Sequence, residues 1–169
     1  MDRDARRPLP LETAALVREF LLLNRRRTRG DPPLALEELE RWMELRPLLE
    51  QALGARPREA GRGRRRALRV PTHLKVRFAC DARDELGSAR DVSEGGLFLA
   101  SERPPPPGTP LHLCLEGAGG RVEVEAVVMW ARERSGPDGP AGMGVRFENL
   151  DEDQRRAIAS LVEEALASL

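Results

Sequence analysis

The side chains best suited to binding chemistry in this sequence are arginines, and they are concentrated in one segment. Residues 55–70 contain seven arginines and a single acid, Glu59, so the segment carries a local charge of +6. A guanidinium group is a planar array of N–H donors that pairs bidentately with phosphate oxygens or with the O6 and N7 atoms of guanine. The composition therefore favours a ligand that carries phosphates, although a solvated basic linker has the same composition.

A second group of candidate binding residues begins 26 positions after Arg65, between two runs that are typical of β-strands. It reads Asp91-Val92-Ser93-Glu94-Gly95-Gly96. Asp91 and Ser93 are short polar side chains that bond a neighbouring backbone group or the edge of a base. The two glycines allow positive φ angles and a close approach of the backbone to a ligand. Taken alone, this string is also typical of an ordinary turn in a hairpin.

Together the two strings resemble the PilZ domain, a bacterial receptor for the second messenger cyclic di-GMP. The first is an Arg-x-x-x-Arg pair, Arg65 and Arg69, and the second is Asp-x-Ser-x-x-Gly. Arg62 and Arg66 have the same spacing, but Arg69 leads directly into Val70-Pro71, as the second arginine of the family does. Two later strings extend the resemblance over about residues 62–169; these are Val127-Val128-Met129-Trp130 and Gly142-Met143-Gly144-Val145-Arg146-Phe147.

The resemblance implies a ligand held against the outer surface of a β-barrel. By this similarity, Arg65 and Arg69 grip guanine and phosphate, Asp91 and Ser93 contact the other guanine, and Gly96 leaves room for it. Arg64, Arg66 and Gly95 are secondary candidates for the same ligand. Such domains sense a ligand and do not catalyse a reaction, so cyclic di-GMP is expected as a ligand and no cofactor is expected.

Two amphipathic helices are predicted before the arginine-rich segment. The first covers about residues 11–24, and its apolar face contains Leu16, Val17, Phe20, Leu21 and Leu23. Gly30 predicts its end, and Asp31 followed by Pro32 predicts the cap of the next helix. The second covers about residues 34–53, with a kink or a break at Pro47. Its apolar side is predicted to contain Leu36, Leu39, Trp42, Met43, Leu49 and Leu53.

After residue 64 the apolar period changes from helical spacing to two, which predicts strands. Alternating or apolar runs occur around residues 74–78, 95–100, 111–115, 121–132 and 142–148, separated by turns rich in glycine and proline. Asp151 and Gln154 have the spacing of a capping box at the start of a closing helix. The predicted fold is α+β and mainly β, a six-stranded antiparallel PilZ-like barrel with a C-terminal helix, preceded by an N-terminal helical hairpin. The predicted domains are residues 1–54, an arginine-rich linker 55–64, and the barrel 65–169.

Several classes of function lack the motifs they need. The sequence has no Ser-His-Asp order, zinc-ligand spacing, P-loop or dinucleotide-fold glycine pattern, so we expect neither an enzyme nor a metal site. No run approaches the length of a membrane span, and the N-terminus lacks the apolar core of a secretory signal, so a cytoplasmic protein without a membrane span is expected. The expected partners are cyclic di-GMP and a downstream protein that the sequence does not identify. The apolar faces of the two N-terminal helices must be covered either by the barrel or by a second copy in a homodimer, and the sequence leaves both alternatives open.

Three functions remain open. The favoured one is a cyclic di-GMP receptor that passes ligand occupancy to a partner or to its own N-terminal helices. The second is a PilZ-fold module that binds proteins and no nucleotide. The third is a nucleic-acid binder that uses its arginine clusters; it ranks lowest because the chain has no tyrosine and only four phenylalanines to stack on bases.

Overall fold

The computed structural model describes residues 9–30, 32–53, 67–80 and 83–169. Two helices come first, α1 (Leu11–Arg29) and α2 (Leu36–Ala52). Six strands follow and one helix closes the chain: β1 (Val70–Cys80), β2 (Arg83–Ser93), β3 (Gly96–Ala100), β4 (Pro110–Gly117), β5 (Gly120–Arg132), β6 (Gly142–Glu148) and α3 (Glu152–Ala167). The predicted fold class, a mainly β protein with an N-terminal helical pair and a C-terminal helix, is confirmed.

The six strands form a closed antiparallel barrel, as predicted. Their order around the barrel is β1-β2-β3-β6-β5-β4, and pairing of β4 with β1 closes it. Alternate side chains point inward, which follows from the period-two pattern of the sequence. The fully buried interior includes Val76, Val92, Leu97, Leu99, Leu113, Leu115 and Met143.

Strand β2 lacks the apolar alternation that identifies the other strands. Its sequence, Arg83-Asp84-Glu85-Leu86-Gly87-Ser88-Ala89-Arg90-Asp91-Val92-Ser93, is mostly polar, and only its last part turns residues into the core. It is nevertheless paired with β1 on one side and β3 on the other. Backbone pairing with two neighbouring strands therefore holds a segment whose own side chains give little preference for a strand.

Helix α3 begins with the predicted capping box and lies against the β4–β5 hairpin. Asp151 Oδ1 accepts a hydrogen bond from the Gln154 N–H at 2.8 Å, and Gln154 Oε1 accepts one from the Asp151 N–H at 2.9 Å. Its apolar residues Ile158, Leu161, Val162 and Ala165 are buried. A Cβ atom on Gly117 would overlap Leu161, so this glycine allows the helix to approach the end of β4 closely.

The two N-terminal helices pack together, and their limits agree only in part with the prediction. Helix α1 begins at Leu11 and stops at Gly30, as predicted, but it continues beyond the predicted residue 24 to Arg29; Gly30 has a left-handed φ of 70°. Helix α2 begins at Leu36 and not after Asp31, because the Ala35 N–H is bonded by the Glu38 carboxylate at 3.0 Å and this pair forms the cap. Pro47 lies inside α2, which continues past it, so the helix is not split in two there, and the alternative of a kink stays a prediction.

The predicted apolar side of α2 is also only partly buried. Leu36 and Met43 are 72% and 59% exposed, whereas Leu45 and Leu49 are fully buried. The contact face of α2 is instead defined by polar and aromatic pairs with α1. Arg41 binds Glu19 through two hydrogen bonds of 2.7 and 2.8 Å, Arg26 pairs with Glu38, and Trp42 stacks on Phe20. Of the predicted face, Leu49 and Trp42 therefore pack as expected, whereas Leu36 and Met43 do not, and the buried Leu45 was missed.

The chain divides into two compact units. One contains α1, α2 and the last four residues, 166–169, and the other contains the barrel with α3 as far as Ala165. The predicted linker, residues 55–64, lies outside the described residues, and the predicted domain boundaries remain a proposal. None of the described helices combines the length and the apolar character needed to cross a membrane.

Candidate ligand-binding site

Arg69 lies immediately before β1, and its side chain is directed to the outside of the barrel. Its neighbours Leu68 and Val70 are both buried, so the alternation of an extended chain turns Arg69 outward. The guanidinium remains partly covered, with 28% of the side chain exposed. A half-buried guanidinium on an outer wall is well placed for a ligand, because it is partly dehydrated and still accessible.

Asp91 of β2 lies beside Arg69 and binds it. Arg69 Nη1 donates a hydrogen bond of 2.7 Å to Asp91 Oδ1, and the backbone N–H of Phe98 donates to the same oxygen at 3.2 Å. The register of β2 against β3 shifts between Ala89 and Asp91, which sets Asp91 opposite Phe98. The fold thus brings together one residue from each of the two strings, 22 positions apart in the chain.

Ser93 shapes the turn between β2 and β3. Its side chain is buried, and its hydroxyl donates to the Gly96 carbonyl at 3.0 Å and accepts from the Gly95 N–H at 3.3 Å. These two bonds close the turn from inside. Ser93 therefore stabilises the turn. The sequence allowed this role as well as a contact with a base.

The two glycines have different surroundings, and neither uses the positive φ angle that glycine allows. Gly95 is exposed, and a Cβ added to it would meet nothing within 4 Å. Gly96 is buried, and its added Cβ would overlap the Val145 carbonyl of β6. The absence of its side chain allows β3 and β6 to pair closely. The expectation that Gly96 also leaves room for a ligand stays a prediction.

The remaining predicted site residues precede the described part of the barrel. Arg64, Arg65 and Arg66 lie outside the described residues, so their positions relative to Asp91 remain a prediction. Within the described ranges, no group of three or more His, Cys, Asp or Glu side chains is arranged to hold a metal ion.

An aromatic pair extends the outer wall from Asp91 towards β5. Phe98 is opposite Asp91 on one side and Gly144 on the other, and Gly144 is opposite Trp130. The rings of Phe98 and Trp130 stack over this glycine with centroids 5.4 Å apart and planes at 16°. The Arg132 guanidinium lies over both rings, 6.0 and 5.5 Å from their centroids. Phe98 and Arg132 were missed from the sequence, because β3 and β5 become near neighbours only through β6.

The family assignment follows from comparison with known proteins. The sequence model of the PilZ domain matches residues 63–164. This chain belongs to the PilZ domain family. Its matched region contains all the predicted site residues, from Arg64 to Gly96. A comparison with curated protein sequences gives no match.

Solved PilZ structures share the fold. The PilZ domain of YcgR from Escherichia coli, solved with c-di-GMP, has a TM-score of 0.52 at 17% identity, covering 63% of this chain and 94% of that chain. The Bacillus subtilis inhibitor of motility MotI/DgrA has a TM-score of 0.52 at 18% identity, covering 67% and 56%. The K. pneumonia MrkH–c-di-GMP complex has a TM-score of 0.50 at 17% identity, covering 63% and 53%. At these identities the likeness shows the fold, and this chain spans only about half of MotI and MrkH.

Proposed function

We propose that this chain is a receptor for cyclic di-GMP, with its site on the outer wall of the barrel around Arg69 and Asp91. The observation that carries the proposal is the 2.7 Å ion pair between these two residues, which belong to two separate motifs of the PilZ family. Membership of the family supports it, as does the c-di-GMP bound to the YcgR domain and to MrkH, whose folds this chain shares.

The chemistry of the pair suits a guanine nucleotide with phosphate groups. A guanidinium carries five N–H donors, and the bond to Asp91 uses one of them. The others make no hydrogen bond to the residues that the structure describes, and they suit phosphate oxygens or guanine O6 and N7. Asp91 Oδ1 is already engaged twice, whereas Oδ2 makes no hydrogen bond to the described part of the chain. This second oxygen can accept from the N–H groups of a guanine.

Arg65, with Arg64 and Arg66, would supply further guanidinium groups. Arg65 precedes Arg69 by four residues, and four extended residues span at most about 14 Å. The segment can therefore reach across a ligand that is held at Asp91. Its concentration of positive charge also favours an anion that neutralises it.

Calorimetric titration with cyclic di-GMP tests the proposal. We expect binding in the wild type, and a loss of about ten- to a hundredfold in affinity in Arg65→Ala, Arg69→Ala and Asp91→Ala, since each removes a charge-assisted contact. Arg156→Ala is the matched control, because this exposed arginine of α3 pairs only locally with Glu152 and Asp153 among the described residues. Absence of binding at tens of micromolar ligand would reject the receptor and favour the protein-binding module. A duplex DNA shift assay on the same samples tests the third function.

A double-substitution cycle separates two roles of Asp91. If Asp91 acts only by holding Arg69 in place, then the affinity of the Arg69→Ala, Asp91→Ala double variant will equal that of Arg69→Ala alone. If Asp91 also contacts the ligand through Oδ2, the double variant will bind more weakly than either single variant. Asp91→Asn refines the result, because it retains the shape of the side chain and removes its charge.

We further propose that the ligand acts on the arginine-rich segment and, through it, on residues 1–54. Neutralisation of the segment by two phosphates should slow hydrogen exchange in residues 60–70, and unchanged exchange there with proven binding would reject the ordering step. Deletion of residues 1–54 should leave ligand affinity nearly intact but change the oligomeric state or expose apolar surface, detected by light scattering and dye binding. A truncated chain without either change would reject the role of the helices as the output.

A further inference from the structure

A second set of arginines surrounds a shallow groove at the opposite end of the β1–β2 hairpin from Asp91. Arg77 projects from β1, Arg83 from the start of β2, and Arg121 from the start of β5. The groove encloses about 360 Å³ and belongs entirely to the barrel unit. Its other lining residues are Ala79, Asp84, His112, Cys114 and Glu123.

The floor of the groove is low because two small side chains meet there. Cys114 of β4 is paired with Arg77 on one side and with Glu123 of β5 on the other. Ala79 is the next outward residue of β1 and is paired with His112. Long side chains on both flanks of these small ones leave a depression in the sheet.

The charges around the rim are only partly neutralised. Arg121 Nη2 pairs with Glu123 at 2.9 Å, and His112 Nε2 is 3.4 Å from the other oxygen of that carboxylate. Arg77 and Arg83, in contrast, form no ion pair or side-chain hydrogen bond with the residues that the structure describes. Asp84 is the second carboxylate of the rim, so among the lining residues that the structure describes three arginines face two acids. Within this described set, the guanidinium groups of Arg77 and Arg83 are free to bind an anion.

Arg121 lines the groove beside Cys114, and 54% of its side chain is exposed. Its pair with Glu123 at 2.9 Å orients the guanidinium towards the rim. A donor that is already positioned loses less conformational freedom when a ligand binds.

We propose that this groove is a second anion site, which binds the diphosphate group of a small molecule through Arg77, Arg83 and Arg121. The separation of the arginines favours two linked phosphates over one. Arg77 is level with Glu123 across β4, and Arg121 precedes Glu123 by two residues on β5, so two strand spacings and two residue rises put the Arg77 and Arg121 backbones about 11–12 Å apart. Guanidinium groups that approach from three strands can contact an elongated anion at both of its ends. A single phosphate would contact the guanidinium groups at only one end of the groove.

The test uses the full chain, labelled with ¹⁵N and titrated with sodium pyrophosphate to about 10 mM at constant ionic strength. We expect amide shifts at Arg77, Ala79, Cys114 and Glu123, and about tenfold weaker binding in Arg77→Gln and in Arg121→Gln. Arg156→Gln should bind as the wild type does. Absence of shifts in the groove, or groove shifts that persist unchanged in Arg77→Gln and Arg121→Gln, would overturn the proposal.

Two further sets of titrations test where the anion binds and which class of anion it is. Arg69→Ala should retain pyrophosphate binding at the groove, and a loss of the groove shifts in that variant would place the anion in the site around Asp91 and overturn the proposal. Orthophosphate should bind at least tenfold more weakly than pyrophosphate, and equal affinities would overturn the diphosphate assignment. GDP that binds as tightly as pyrophosphate would show that the diphosphate is recognised within a nucleotide.

Discussion

Gly96 and Val145 lie so close together across the β3–β6 pair that a Cβ atom on Gly96 would overlap the Val145 carbonyl oxygen. The neighbouring Gly95 faces open space. Two adjacent glycines at the mouth of the proposed ligand site therefore have unrelated reasons for lacking a side chain. One is needed for packing of the barrel, and the other leaves the surface above the turn open.

Substitution of these glycines separates packing from ligand access. Gly96→Ala should lower the free energy of unfolding by about 1–3 kcal/mol or more, because backbone atoms of β6 must move. Gly95→Ala should change it by no more than about 0.5 kcal/mol, because its Cβ has space and its φ is not in the left-handed region. Urea denaturation measures both. Equal destabilisation by the two substitutions would contradict the different surroundings described above.

Ser93→Ala should destabilise the barrel through the turn. The substitution removes the bonds to the Gly95 N–H and the Gly96 carbonyl, and Gly96 is buried. An unpaired polar group in a buried turn costs about 1–3 kcal/mol. Ser101→Ala is the control, because its hydroxyl accepts only one exposed bond, from the Arg103 N–H at 3.3 Å, among the contacts described. Equal urea midpoints for Ser93→Ala and the wild type would show that the hydroxyl does not support the turn.

The sequence revealed the barrel well and the site in part. Alternating apolar residues identified five strands. The sixth, β2, carries few apolar side chains, and it was predicted only from the family resemblance. The motif spacing predicted that Arg69 and Asp91 act together, and the fold places them 2.7 Å apart. The Phe98–Trp130 stack was not predicted, because it depends on β6 lying between β3 and β5. That order is a tertiary property, and no local pattern encodes it.

The pair between Glu19 and Arg41 should make the helical unit sensitive to acid. Two hydrogen bonds from Arg41 lower the pKa of Glu19 below its usual 4.5. A carboxylate whose pKa is lower in the folded state than in the unfolded state stabilises the fold at pH values above its unfolded pKa. This stabilisation is lost as the pH falls through the folded pKa. Glu19→Gln should therefore lower the melting temperature at pH 7, and the difference from the wild type should vanish in acid.

Circular dichroism melts from pH 7 to about pH 2 cover the whole transition. Glu40→Gln, at an exposed position of α2 outside this pair, is the control and should shift the melting temperature little at any pH. A deficit of Glu19→Gln that stays constant down to the lowest pH would mean that the charge of Glu19 does not stabilise the unit.

Glu164 should hold the β4–β5 turn against α3. Its two carboxylate oxygens accept from the Ala118 N–H at 2.9 Å and from the Gly119 N–H at 3.2 Å. Glu164→Ala removes both acceptors, so amide exchange at these two positions should become faster. Glu164→Gln keeps one carbonyl oxygen and should have an intermediate effect. Glu152→Ala, in the first turn of the same helix, is the control, and equal exchange in all four proteins would argue against the clamp.

Trp42 should contribute most of the aromatic packing between α1 and α2. Its ring stacks on Phe20 with centroids 5.9 Å apart, the Arg27 guanidinium lies 4.4 Å from its ring centroid, and its Nε1 donates to Asn24 Oδ1 at 3.2 Å. The side chain is only half-buried, so Trp42→Ala should cost about 2–3 kcal/mol, less than the 3–5 kcal/mol of a fully buried aromatic residue. Trp42→Phe keeps a stacking ring and loses the hydrogen bond, so it should cost about 1 kcal/mol. Thermal melts followed by circular dichroism at 222 nm report both variants, and equal losses would mean that the hydrogen bond, and not the stacked ring, holds the two helices together.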